Sequence, residues 1–409
     1  MKKITESSAY CLPKPVSEAM VGESGENRNS DMGASGRQGK AIEKGSRRTT
    51  IADVAAHVGH SKGTVSRALN GYPDISAPTR ARVERAARFL DYSPLSQAQA
   101  IKTGIVRSIG FILQTYEHDA HRPFLASFLS AVSQAATDEG WTLTLATSDS
   151  DDGTIQTLAR LVKERKADGF ILPRTLTKDP RIEFLKVEGV PYVLYGRTAD
   201  SSGCAWYDIL GELAMEGAVL RLNRLGHRRI AFVNGGSEFY YSILRLSGYC
   251  EGLRKCGLRY DEDLVKSDAL VSADGAKAAE ALLVLRDPPT AFVYALDSAA
   301  LGLYQVADRL GLSIGEDVSV IAYDGIPEGK LVKPPLTTYS VDRQKAGGRL
   351  AYLLIERIRG AVPESLREFE SATLVERESD GIAKLDSEQL AARLREAAYL
   401  QSPQKEKTL

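Results

Sequence analysis

The chain has 409 residues, of which 43% are hydrophobic and 26% charged, and its 53 basic residues equal its 53 acidic ones. This is the composition of an ordinary soluble globular protein with room for about two to three domains. No stretch reaches the roughly 18 apolar residues of a membrane span, and no apolar run follows the N-terminal lysines. The four cysteines (Cys11, Cys204, Cys250 and Cys256) are too few for a disulfide framework. We therefore expect a cytoplasmic, reduced protein.

Charge is distributed unevenly along the chain. The segment from Arg47 to Gly104 holds nine Lys or Arg against four Asp or Glu, whereas residues 105–409 hold 37 against 43. A small basic segment joined to a larger, mildly acidic one predicts that only the basic segment contacts a polyanion.

Residues 1–46 are rich in Ser, Gly, Glu, Asn and Lys, which predicts a disordered N-terminal extension because so few apolar residues cannot offset the entropy of ordering. Residues 47–92 predict a compact three-helix unit. The first two helices lie on either side of Gly59, and Ser61 is a favourable N-cap for the second. Ser76 is placed to cap the third. The predicted core consists of Ile51, Val54, Ala55, Val65, Leu69, Val83, Ala87 and Leu90.

Beyond a short, polar, helix-compatible linker at 93–104, residues 105–381 alternate apolar runs with helical patterns. The predicted strands are 109–113, 142–146, 169–173, 191–195, 229–233, 290–296 and 318–323, and the helical patterns include 125–139, 207–225, 244–256 and 298–310. Continuously apolar strands alternating with helices indicate parallel sheets covered on both faces. Seven such units predict two doubly wound lobes, with ligands binding at the carboxyl ends of the strands. The polar tail at 382–409 predicts one surface helix over 387–400.

Several motifs, taken together, resemble the lactose and galactose repressor family of bacterial transcription regulators. The segment "TIADVAAHVGHSKGTVSRALNG" is similar to the family's DNA-binding head. The family order continues through "TRARVERAARFLDYSP", "ADGFIL", "PYVLYGR", "LGHRRIAFV", "RLSGY", "DVSVIAYDG" and "PPLTT". The resemblance implies a helix-turn-helix head, a hinge helix and a body like a periplasmic binding protein, acting as a homodimer on a palindromic operator.

The second helix of the head is the expected recognition helix, whose N-terminal residues would face base edges in the major groove. Lys62 and Arg67 are the side chains suited to guanine acceptors; the alternative is that they are only solvated surface charges. Gly63 stands where the family often presents a side chain to the bases. The residues suited to phosphate oxygens are Thr50, Ser61, Thr64, Ser66 and Asn70.

In the hinge, the resemblance places Ala98 and Ile101 at DNA-contacting positions, with Ile101 as an apolar wedge for the minor groove. The family's hinge arginine is replaced by Gln99. A plain flexible linker is the alternative.

In the body, the resemblance places effector contacts on Arg245 of "RLSGY" and Asp324 of "YDG", a guanidinium and a carboxylate suited to clamp a polyhydroxyl compound. A structural salt bridge is the alternative for this pair. Phe124 is suited to stack on a sugar face, and Arg197 lies on a neighbouring loop. Leu296 replaces the family's asparagine before Asp297, which predicts a shifted ligand preference.

The sequence therefore predicts a DNA-binding transcription regulator, most simply a repressor of carbohydrate-utilisation genes under the control of a sugar-like effector. A transcription activator and a sugar-binding receptor without DNA function are the alternatives. No catalytic motif follows a strand, so no enzyme activity, cofactor or metal is expected. "HDAH" at 118–121 lacks matched metal ligands, and "SDSDDG" at 148–153 is interpreted as a turn because the glutamate of a calcium loop is absent.

Overall fold

The computed structural model describes residues 49–93, 104–115 and 122–401. The chain divides into two compact units, and the boundary in the sequence falls between Ser93 and Pro94. The first unit is the head, and the second contains two α/β lobes. Each unit is described by itself.

Three helices form the head: α1 (Ile51–Val58), α2 (Lys62–Leu69) and α3 (Ala77–Phe89). Gly59 ends α1 in the left-handed conformation, with φ of 68°, which a side chain would disfavour. Ser61 begins α2 by accepting a hydrogen bond from the backbone N–H of Thr64. Ser76 occupies the N-cap position of α3, but its hydroxyl donates to Thr79 Oγ1. The small core contains the fully buried valines Val54, Val65 and Val83, and the predicted three-helix unit is confirmed.

The first lobe is built on a six-stranded parallel sheet in the order β11-β5-β4-β3-β1-β2. Its strands are β1 (Ser108–Gln114), β2 (Thr142–Ser148), β3 (Gly169–Pro173), β4 (Tyr192–Tyr195), β5 (Ala205–Ile209) and β11 (Arg367–Glu370). Its helices are α4 (Arg122–Asp138), α5 (Asp151–Lys163), α6 (Pro180–Val187) and α11 (Arg343–Ile358).

The second lobe repeats this plan with the order β12-β10-β9-β8-β6-β7, and only β12 runs antiparallel to its neighbour. Its strands are β6 (Ile230–Val233), β7 (Val265–Lys266), β8 (Ala291–Tyr294), β9 (Ser319–Asp324), β10 (Thr337–Ser340) and β12 (Thr373–Val375). Its helices are α7 (Gly211–Arg224), α8 (Tyr240–Lys255), α9 (Ser272–Leu283), α10 (Asp297–Leu310) and α12 (Ser387–Gln401).

The chain passes between the lobes three times, after β5, after β10 and after β11. Helix α11 packs on the first lobe although it follows β10 of the second, since Leu350 and Leu354 join the core around Ile109. Each lobe is therefore assembled from separate parts of the sequence, and both wall a common cleft at the carboxyl ends of their strands.

All seven predicted strands are confirmed, as are the two doubly wound lobes. Two details of the sequence analysis are wrong. The helical pattern predicted for 207–225 begins at Gly211, because residues 205–209 form β5. The turn predicted at 148–153 is shorter than expected, because Ser150 caps α5 and Asp151 already lies in that helix. The tail helix is present as α12, and its Leu390 is fully buried against the second lobe.

Candidate DNA-reading helix and effector cleft

Helix α2 presents one exposed face and one buried face. Val65 and Ala68 point into the head core, whereas Lys62, Gly63, Arg67 and Asn70 are exposed. Gly63, Arg67 and Asn70 are four and three residues apart, so they share one side of the helix. The structure thus leaves a polar helical face uncovered, as a helix that enters a DNA groove requires.

The polar residues expected to contact phosphates also stabilise the helix ends. Thr50 donates from its hydroxyl to Asp53 Oδ2 over 2.7 Å, and the same carboxylate accepts from the Thr50 backbone N–H. The Ser61 and Thr64 hydroxyls are 3.0 Å apart. Asn70 donates from its amide to the Ser66 carbonyl. The phosphate contacts of these five residues stay a prediction.

Arg67 contacts two residues of the loop that follows α2. Its Nη2 lies 2.5 Å from Asp74 Oδ2, and its guanidinium lies 5.3 Å from the centre of the Tyr72 ring. Arg67 and Asp74 remain about half exposed. The hinge residues Ala98 and Ile101 lie outside the described part of the chain.

A cleft in the second unit is lined by both lobes and by two of the segments that join them. The first lobe contributes the ends of β1, β3 and β4, and the second lobe contributes α8, Leu296 and the end of β9. The predicted residues Arg197, Arg245, Leu296 and Asp324 all line this cleft. The backbone of Phe124 lies in the first turn of α4, and its side chain is outside the described part. Four of the five predicted effector residues are thus brought together.

Arg245 lies over two aromatic rings. Its guanidinium lies 4.5 Å from the centre of the Tyr241 ring and 4.1 Å from that of Tyr323. Its Nη1 donates to the Ala295 carbonyl over 2.7 Å. Gly211 covers Nε, because a Cβ added at this glycine would lie 3.1 Å from that nitrogen. Its remaining N–H groups are fixed in direction before a ligand arrives, which lowers the entropy lost on binding.

Asp324 ends β9 with a φ of 122°, a strained value for a residue other than glycine. Its backbone carbonyl accepts from Arg343. Burial raises the pKa of the Asp324 carboxyl, and the nearby charges of Arg245, Arg343 and Arg174 oppose that rise. Its carboxyl oxygens can accept hydrogen bonds from a ligand hydroxyl.

Asp297 holds the loop that carries Asp324. Its carboxylate accepts from the backbone N–H groups of Gly325 and Ile326, each over 2.8 Å, and from the Thr338 hydroxyl over 2.7 Å. Burial, followed by the negative charge of Asp324, raises the pKa of Asp297 to about 7. The strained backbone at Asp324 is therefore fixed by a carboxyl group of the second lobe's own core.

Arg197 lines the cleft but is already paired. Its Nε donates to Asp208 and its Nη2 to Glu212. Burial raises the pKa of the Asp208 carboxyl, against the lowering effect of the Arg197 charge. With two carboxylates as partners, Arg197 contributes little net charge to a ligand; its expected effector contact stays a prediction.

Sequence reasoning missed Tyr241, Tyr323, Arg174 and Arg343, all of which line the cleft. A signal was present for the two tyrosines. Tyr241 lies four residues before Arg245 on α8, a spacing that brings side chains together on a helix, and Tyr323 directly precedes Asp324. Arg174 directly follows the predicted strand 169–173, so the expectation that ligands bind at the carboxyl ends of strands could have pointed to it. No local signal marks Arg343, the first residue of α11.

The two lobes also touch through backbone groups at the edge of the cleft. Thr177 N–H donates to the Glu238 carbonyl, and Tyr240 N–H donates to the Thr175 carbonyl, each over 3.0 Å. Leu176 and Phe239 form an isolated antiparallel bridge. We call residues 174–177 and 238–240 the interlobe strap. It holds the lobes together with contacts that a rigid-body opening would have to break.

Within the described ranges, no helix is long and apolar enough to cross a membrane. Across the same ranges, no group of three His, Cys, Asp or Glu side chains is placed to hold a metal ion; residues 118–121 lie outside them. A helix-turn-helix head joined to a two-lobed α/β body with a cleft between its lobes defines the class of DNA-binding regulators that carry their own small-molecule site.

Comparison with known proteins agrees with this class. The family described as "Bacterial regulatory proteins, lacI family" matches residues 50–95, and the "Periplasmic binding protein-like domain" matches residues 219–379. The transcriptional regulator AglR of Rhizobium meliloti is 34% identical over 344 residues, covering 81% of this chain and 94% of that protein. The regulator RafR of Escherichia coli is 31% identical, covering 77% and 93%. The chain belongs to the lacI family and is a DNA-binding transcription regulator.

Solved structures show the same architecture. The "transcriptional regulator CelR-cellobiose complex" is 30% identical with a TM-score of 0.63, covering 81% of this chain and 100% of that one. The Lac repressor dimer bound to operator has a TM-score of 0.67 at 24% identity, covering 81% and 99%. The latter likeness concerns the fold alone.

Proposed function

We propose that the protein is a cytoplasmic repressor of carbohydrate-utilisation genes that binds a palindromic operator as a homodimer and is controlled by a sugar-like effector in the cleft. The observation that carries the proposal is the stacked Arg245 beside Asp324. Together they offer fixed donors and an acceptor between aromatic faces, which is the combination that a polyhydroxyl ligand requires.

The similar regulators support a carbohydrate effector. CelR, which is 30% identical and covers 81% of this chain, was solved in complex with cellobiose. The relative CytR of Escherichia coli is named a repressor. Leu296 is almost fully buried where it lines the cleft. Since leucine cannot hydrogen-bond a hydroxyl, we infer that the effector presents an apolar edge or face to this position.

Control follows from the two-lobed plan. Bringing the lobes together around a ligand changes how two bodies of a dimer meet, and hence the spacing of the two heads. Half-sites on DNA lie about one helical turn apart, so a small change in that spacing weakens binding to both at once. The ligand acts only through its different affinity for the two arrangements.

A thermal-shift screen with cellobiose, maltose, raffinose, galactose and glucose tests the effector class. A ligand present at 100 times its dissociation constant stabilises the folded protein by about 2.7 kcal/mol. We expect one or more of the disaccharides or trisaccharides to raise the melting temperature, and a gel shift with the gene's own upstream DNA to change when that sugar is added. Nucleosides and amino acids are screened alongside the sugars, and stabilisation by one of these with none by any sugar would contradict the carbohydrate proposal.

A further inference from the structure

The recognition helix carries few side chains that can read bases. Gly63 has none, and a Cβ built at this position would meet only Ser61 Oγ, at 3.7 Å. Arg67, one turn further along, is the long side chain on that face. The quality of base reading on this side of the helix therefore depends on how well the Arg67 guanidinium is oriented.

Two neighbours restrict the orientation of that guanidinium, one at an edge and one on a face. Asp74 Oδ2 binds one edge, at Nη2, over 2.5 Å. The Tyr72 ring covers one face at 5.3 Å, within the range of a cation–π contact. A planar group that is held at one edge and on one face cannot rotate freely, so the N–H groups on its other edge point in a fixed direction. Bidentate binding to guanine N7 and O6 requires a pair of N–H groups that is oriented in this way.

Asp74 also affects the energy with which the head binds DNA of an incorrect sequence. Its carboxylate is about half exposed in the loop directly after α2, so it stays near any duplex that α2 enters. A carboxylate without a cationic partner is repelled by phosphates and by guanine acceptors. Repulsion from an incorrect DNA sequence increases specificity in the same way as attraction to the correct one.

We propose that Asp74 is a specificity-determining residue of the DNA-reading surface, acting on the bases through Arg67, with Tyr72 as its partner in positioning. The inference rests on the proposed operator binding and deepens it. Asp74 makes Arg67 a directed guanine reader, and without Asp74 the same arginine becomes a mobile cation that binds phosphates of any sequence. Removing Asp74 then strengthens binding to random DNA and weakens base discrimination at a single position of each half-site.

The test uses the full chain and a pool of duplexes with a randomised core about two helical turns long. Wild type and Arg67→Ala are first carried through selection and sequencing, and the base position that loses its preference in Arg67→Ala is assigned to Arg67. Asp74→Asn and Tyr72→Leu are then selected from the same pool. Asp91→Asn, at an exposed acidic site at the end of α3, removes the same charge from the head without touching Arg67.

We expect Asp74→Asn and Tyr72→Leu to flatten preference at the Arg67 position by about two- to fivefold, the range that an exposed ion pair supports. Preferences elsewhere in the half-site should be unchanged, and affinity for random duplex should rise in Asp74→Asn. Asp91→Asn should leave the preference intact. An unchanged preference at the Arg67 position in Asp74→Asn, or a gain in affinity equal to that of Asp91→Asn on every sequence, would overturn the inference. A wild type that selects no sequence at all would instead overturn the proposed operator binding on which it rests.

Discussion

The guanidinium of Arg174 in the first lobe lies 5.8 Å from the centre of the Phe239 ring in the second lobe. From Phe239 the stack continues to Tyr241 at 5.3 Å, from Tyr241 to Arg245 at 4.5 Å, and from Arg245 to Tyr323 at 4.1 Å. A continuous series of contacts therefore runs from Arg174 and Phe239 of the interlobe strap to Arg245 and Tyr323 in the cleft. We therefore expect movement of the lobes to change the orientation of Arg245.

Replacing Phe239 by leucine should favour the open arrangement of the lobes. It removes a cation–π contact between the lobes, worth about 0.5–2 kcal/mol, so the ratio of closed to open molecules should fall by about two- to thirtyfold. Small-angle scattering should report a larger radius of gyration for the variant. Phe369→Leu is the matched control, because Phe369 has a similar contact with Arg197 inside the first lobe alone. Equal scattering changes in both variants would contradict a special role for the strap.

Replacing Arg245 by alanine should abolish the ligand response and leave DNA binding intact. A hydrogen bond from a charged group contributes about 1.5–3 kcal/mol, so loss of Arg245 should weaken sugar binding by at least tenfold in calorimetry. Arg254→Ala, at an exposed position on the same helix, should bind sugar as the wild type does. Sugar affinity within a few-fold of wild type in Arg245→Ala would mean that the ligand lies elsewhere.

Two exposed glycines of the head should respond in opposite ways to alanine. Gly63 lies in α2, where an added Cβ would make only an ordinary contact with Ser61 Oγ at 3.7 Å, so Gly63→Ala should stabilise the head by about 1 kcal/mol. Gly71 has nothing within 4 Å of an added Cβ but a φ of 70°, so Gly71→Ala should destabilise it by about 1–2 kcal/mol. Hydrogen exchange of the head amides in the full chain measures both. Changes of the same sign would contradict the assigned backbone conformations.

The Asp297 carboxyl should make stability depend on pH near neutrality. Its pKa is about 7 in the folded protein and about 3.9 when unfolded, so the folded state alone holds the proton between these values. The free energy of unfolding should therefore fall as pH rises from about 4 to about 7, and its Asp297 contribution should level off above that. Asp297→Asn cannot lose a proton, so chemical denaturation should show it gaining stability relative to wild type as pH rises.

The control for this measurement is Asp308→Asn, which removes an exposed carboxylate from the same helix. It should keep the slope of the wild type between pH 5 and about 8. A slope that is unchanged in Asp297→Asn would show that Asp297 is ionised throughout that range.

Much of the fold was predictable because its signals are local. The strand around Phe111 and the one around Val293 are continuously apolar, and Gly59 and Ser61 mark a helix end and a helix start on their own. Strand β5 was missed because the charged Asp208 interrupts its short apolar run, and Asp208 is kept in the sheet by its partner Arg197. That pairing joins two segments and leaves no local pattern.

The site was predictable to the extent that family motifs carry it. Arg245 and Asp324 stand in such motifs, and both line the cleft. Arg174 and Arg343 could not be found in this way, since neither stands in one of the family motifs. The carboxylate that holds Arg67 was likewise hidden: Asp74 belongs to a turn motif, "NGYPD", whose residues favour turns whatever their side chains contact.

The division of the first lobe between two distant parts of the chain has a consequence for its synthesis. Strand β11 pairs with β5 at the edge of the first sheet, and α11 covers that sheet, yet both follow the greater part of the second lobe in sequence. On the ribosome, strands β1 to β5 emerge first, and Val193 and Tyr207 on the face that α11 later covers stay exposed until that helix is made. The second lobe therefore begins to fold before the first lobe is complete. A nascent chain that stops before Arg343 exposes an apolar face of the first sheet to chaperones and proteases.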